Sequence, residues 1–77
     1  MEKKNTIWVV VTWDSESARL MSKMTCNSYE EAANIVGAFY LSAKVDKNVE
    51  GAQLDDDRMF ACCTINGREE FCEAFEI

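Results

Sequence analysis

The chain predicts an α+β fold: one α-helix packed on one face of a four- or five-stranded, mainly antiparallel sheet, in the order ββαββ(β). Three observations carry this expectation. A capped amphipathic stretch covers residues 28–44, two nearly continuous apolar runs flank it at 6–13 and 59–65, and Asn66-Gly67 separates the second run from a last alternating segment. The two tracts on either side of the helix supply the surface that its apolar stripe must bury against. With 77 residues, 48% of them apolar, the chain has material for one core, so one compact domain over 1–77 is expected.

Residues 6–13 are rich in β-branched and aromatic side chains and are apolar at both parities, which fits a central strand. Asp14-Ser15-Glu16-Ser17 makes a polar turn, and 18–26 then alternates as a half-solvated strand. If Trp13 opposes Ala18, then Val11 faces Leu20 and Ile7 faces Met24. One side of the hairpin then holds Ile7, Val9, Val11 and Trp13 with Leu20, Ser22, Met24 and Cys26, and the helix is expected on that side.

The helix begins at a capping box. Ser28 can accept from the first turn, and Glu31, three places on, can reach back to the N–H of the cap. Tyr29, Ala32, Val36, Phe39, Tyr40 and Ala43 then recur at three- and four-residue steps and form the buried stripe.

Structureless loops as long as 45–57 are uncommon, which places a strand at 49–54, paired with 59–65 through the turn Asp55-Asp56-Asp57. Asn66-Gly67 suits a type I′ turn because both residues accept positive φ. A closing strand over 68–75 would then set Ile65 opposite Arg68 and gather Phe60, Cys62, Phe71 and Phe75 as a core cluster. The competing pattern is a final helix capped by Asn66, with Glu69 at the capping-box position and Phe71, Ala74 and Phe75 as its apolar side.

Composition narrows the chemistry. There is no histidine, which removes the commonest general acid–base residue near neutral pH, the Ser-His and Cys-His nucleophile pairs and the mixed Cys/His zinc sites. Cys26, Cys62, Cys63 and Cys72 lack the paired C-x2–4-C spacing of a four-cysteine zinc site, and adjacent Cys62 and Cys63 point to opposite faces of a strand, where reduced thiols behave as small apolar side chains. A thiol-dependent enzyme using Cys63 ranks last among the functions considered. No cofactor is expected. A formal charge of −6, from 14 carboxylates against 8 basic residues, repels phosphates and anionic membranes. Direct nucleic-acid and membrane binding are therefore not expected. Ile7–Trp13 is too short for a membrane span and leads into acidic residues without a cleavage-site pattern, so a cytoplasmic protein is expected.

One motif points to a metal. Asp46-Lys47-Asn48-Val49-Glu50-Gly51 matches the opening of a calcium loop, with Asp57 at the twelfth position, so Asp46, Asn48, Glu50 and Asp57 are candidate ligands of a calcium-responsive switch. Glu50 and Asp57 depart from the usual residues at their positions, and a strand rather than a second helix follows.

The leading expectation is a small acidic, non-enzymatic protein–protein interaction module. It would act through an uncovered sheet face in a homodimer, or through its acidic surface on a basic partner, in one version as an inhibitor. If the helix covers one side of the sheet, Trp8, Val10, Met21 and Cys63 are left on the other as an apolar contact patch. Leu41 on the polar side of the helix, with Glu69 and Glu73, would add a carboxylate-rimmed apolar spot. The candidate interface is therefore Trp8, Val10, Met21, Leu41, Glu69 and Glu73.

Overall fold

The computed structural model describes residues 7–16 and 19–77, with the backbone alone at 19–21. Its elements follow the expected order: β1 (Trp8–Asp14), β2 (Arg19–Cys26), α1 (Tyr29–Val45), β3 (Val49–Leu54), β4 (Phe60–Ile65) and β5 (Arg68–Glu76). The five strands form one antiparallel sheet in the order β2-β1-β5-β4-β3, with α1 against it. The segment after Asn66-Gly67 is a strand, not a helix. Asn66 and Gly67 take φ of 52° and 79°, the positive pair a type I′ hairpin needs, and Ile65 stands opposite Arg68 as expected.

The helix starts at Ser28, whose Oγ accepts from the Glu31 N–H at 3.1 Å. The return half of the box is displaced by one residue. Glu31 Oε1 accepts from the N–H of Asn27 at 2.8 Å, not from that of Ser28. Glu30 and Glu31 in the first turn and Lys44 in the last suit the helix dipole. Loss of an N-cap oxygen typically costs about 1 kcal/mol, so Ser28→Ala is expected to lower unfolding stability by that amount in a urea titration. An unchanged midpoint would show that the cap contributes nothing.

Which side of the sheet takes the helix is the main departure from expectation. Trp8 and Val10, not Val9 and Val11, lie under α1. The core gathers Val10, Cys26, Ala32, Val36, Ala61 and Cys72, with Trp8, Ile35, Phe39, Tyr40, Leu54, Met59 and Ala74 packed against it. Small side chains dominate where the layers meet: Ala32 from the helix shares one buried cluster with Ala61 and Cys72 from the sheet. A helix lined with small side chains can approach such a surface closely.

Two features reverse the parity. In the β1–β2 hairpin Val10 stands opposite Met24 and Thr12 opposite Ser22, but Trp13 stands opposite Leu20, so a bulge at Thr12/Trp13 gives β2 one extra residue. The expected partner Ala18 lies outside the described residues. In addition, antiparallel neighbours throughout make the edge strands β2 and β3 run in the same direction. The connection β2-α1-β3 therefore crosses the whole sheet, and the handedness of such a crossover chooses its face. Alternation within one strand carries no record of that choice.

Candidate functional site

Every second residue of the sheet points away from the helix, and the register fixes which ones meet. One row across this open face reads Lys23, Val11, Glu73, Phe60; the next reads Trp13, Phe71, Cys62, Gln53; a third holds Thr25, Val9 and Phe75. The expected grouping of Phe60, Cys62, Phe71 and Phe75 is thus present, but on the open side rather than beneath the helix. The rings of Trp13 and Phe71 stack at 4.3 Å and 21°, and Phe60 lies 5.8 Å from Phe71. Val9 and Val11 are buried between these side chains, while Phe75 is 46% exposed.

Glu73 sits inside this aromatic surface. Its Oε1 accepts from Trp13 Nε1 at 2.9 Å, which orients the indole. The described charged side chains on this face are Lys23, Glu69 and Glu73. Among the described residues α1 is the helix that packs on the sheet, and it occupies the other side.

The candidate interface residues named from sequence do not come together. Trp8 and Val10 lie under the helix, Trp8 edge-to-face with Tyr29 at 5.7 Å and Val10 only 2% exposed. Leu41 is 62% exposed on the outer side of α1. Glu69 and Glu73 are on the open face, and the side chain of Met21 lies outside the described residues. Cys63 is buried on the helix side. Val9, Val11, Trp13, Phe71 and Phe75, expected beneath the helix or in the core, lie on the face away from it. Their signal was present in their bulk: the parity that carries them is aromatic, whereas the parity of Val10, Ala61 and Cys72 is small enough for an alanine-rich helix.

The calcium loop also fails to assemble. Asp46 Oδ1 accepts from the Asn48 N–H at 2.8 Å as the helix ends. Glu50 is the extra residue where Val49 pairs with Ile65 and Gly51 with Thr64. Asp57 turns back on its own loop, accepting from the Met59 N–H at 3.1 Å. Between them runs β3, six residues or roughly 20 Å of extended chain, so the four side chains cannot share one ion. No group of three or more potential metal ligands gathers among the described residues.

The four cysteines are unpaired thiols. Burial raises the pKa of each, most of all Cys72, pushed up to about 11, with Glu73 adding to the effect. Cys63 is raised by burial and then by Glu70, and Cys62 by burial and then by Glu69 and Asp55. Nucleophilic thiols need the opposite shift, from a cation or a helix N-terminus. On the helix side a groove of about 420 Å³, with Met24, Ile35 and Phe39 in its walls and Asp46 and Glu70 at its rim, offers apolar contact without a catalytic constellation.

The fold is thus an α+β layer pair with one aromatic face that no described helix covers, and no described helix is long and apolar enough to cross a membrane. The chain matches no protein-family model, no curated protein and no solved structure.

Proposed function

We propose that the protein is a small acidic, non-enzymatic protein–protein interaction module that binds through the open face of its sheet, in the cytoplasm. The observation that carries this reading is the aromatic and aliphatic surface formed by Val9, Val11, Trp13, Phe60, Phe71 and Phe75 on the side away from α1. Contiguous apolar patches of this kind mark contact surfaces, and aromatic residues are enriched where such contacts are tightest. The lack of histidine and the raised thiols support a binding role over catalysis, and four unpaired cysteines suit a reducing compartment.

Photo-crosslinking in the cell of origin tests this. A crosslinking amino acid at Gln53, exposed on the open face, is expected to give a discrete protein adduct, and the same group at Leu41, on the outer side of α1, is not. Adducts at Leu41 alone, or at neither position, would overturn the reading.

A further inference from the structure

We infer that the partner meeting the open face brings an arginine side chain to Glu73, set among apolar side chains of the partner's own. The inference rests on the reading of that face as a docking surface and adds the chemistry of what docks there.

The position of one carboxylate carries it. Glu73 lies on β5, the middle strand of the sheet, directly opposite Val11 of β1 and Phe60 of β4. Phe71 and Phe75 stand two residues before and after it on the same strand, and so on the same face. Trp13, stacked on Phe71, donates its indole N–H to Glu73. An acidic group is thus ringed by aromatic and aliphatic side chains near the centre of the surface. The ion pairs among the described residues both belong to Arg68, with Asp14 at 3.3 Å and Glu70 at 3.1 Å, so no described cation pairs with Glu73. The other described charges of the face lie at its margins. Lys23 is exposed on the edge strand β2, and Glu69 is exposed at the start of β5, where charge stays hydrated in the rim of a contact.

A partner that covers the aromatic surface also covers Glu73. A carboxylate stripped of water and given no counter-charge opposes docking, so a tight partner supplies a cation at this point. Trp13 uses one acceptor site of one oxygen, and a carboxylate offers about four. The remaining sites can take two parallel N–H groups of a guanidinium, whose plane also stacks on neighbouring rings such as Phe60 and Phe71. An ammonium is more strongly hydrated and gives up more on entering such a surface. The formal charge of −6 draws a positive protein segment towards the molecule and repels the phosphates of nucleic acids and anionic membranes.

The test is whether removing the charge of Glu73 weakens docking or strengthens it. Glu73→Gln keeps the side-chain length and an acceptor for Trp13, and it should melt like wild type by circular dichroism. With the crosslinking group at Gln53, the protein adduct in the cell of origin is expected to fall at least about tenfold in Glu73→Gln. Mass spectrometry of the wild-type adduct should find an arginine beside apolar residues in the crosslinked segment. The purified partner should bind Glu73→Gln at least about tenfold more weakly than wild type. Its own arginine-to-glutamine variant should lose a similar factor against wild type, a readout that does not depend on how Glu73→Gln folds. Equal or tighter docking of Glu73→Gln is what a purely apolar partner gives; it would overturn the inference and leave the docking face standing. A crosslinked segment without arginine, from another protein or from a second copy of this chain, would do the same. No adduct at Gln53 in wild type would overturn both.

Discussion

Val36→Asp is expected to unfold the protein. Val36 is fully buried at the middle of the contact between α1 and the sheet, in the cluster that holds Val10, Ala61 and Cys72. A domain of this length has roughly 4–12 kcal/mol of stability in total. An unpaired carboxylate in an apolar interior costs several kcal/mol even after the surroundings relax, and the lost valine methyls add to it. No cation among the described residues is buried beside this position to offset the charge. Circular dichroism should show loss of cooperative thermal unfolding. The milder Val36→Ala should remain folded and lose about 2 kcal/mol, near the low end for deleting buried aliphatic atoms. An aspartate variant that melts like wild type would mean that α1 does not lie on the Val10 side of the sheet.

The second large effect is alkaline destabilisation through Cys72. Its thiol is neutral when protonated, and burial, with Glu73 adding, moves its pKa from 9.0 to about 11. The folded state therefore holds the proton more tightly than the unfolded chain. Below about pH 9 both states are protonated and the native state keeps its full advantage; as pH rises from about 9 to about 11 only the unfolded chain ionises, and stability falls. Two pKa units correspond to about 3 kcal/mol. The other three thiols are shifted in the same direction, so the slope belongs to all four. Cys72→Ala isolates one share: its urea midpoint should start lower at pH 7, because a small buried side chain has been trimmed, and then decline less steeply between pH 9 and 11. Parallel profiles for the two proteins would show that the Cys72 thiol ionises freely in the native state.

Local chemistry made most of the elements readable. Ser28 with Glu31 announced the helix start, Asn66-Gly67 announced the last hairpin with its register, and the stretch 49–54 was recognisable because a bare loop of that length is rare. Each of these signals is held within a few consecutive residues. The site was less legible, because a face is a property of the assembled sheet. Alternation correctly grouped Phe60, Cys62, Phe71 and Phe75, and likewise Val9, Val11 and Trp13, but it could not say whether the group lay beneath the helix or away from it. The bulge beside Trp13 and the edge-to-edge crossover decided that, and neither leaves a mark on the spacing of apolar residues. The calcium pattern failed for a related reason. Its spacing was intact, but β3 drew the ligands apart along an extended strand.

The pairing of β1 with β5 joins Trp8 to Glu76 and Asp14 to Glu70, which makes the centre of the sheet a seam between the first and last strands. The hairpin of β1 and β2 and the meander of β3, β4 and β5 can each zip locally, whereas this seam closes a loop of more than fifty residues, the slow kind of step in folding. On the ribosome it must wait until β5 has been synthesised. Until then the nascent chain carries the valine-rich edge of β1 without its neighbour, so this is the interval in which a chaperone, or a second nascent chain, has access to it.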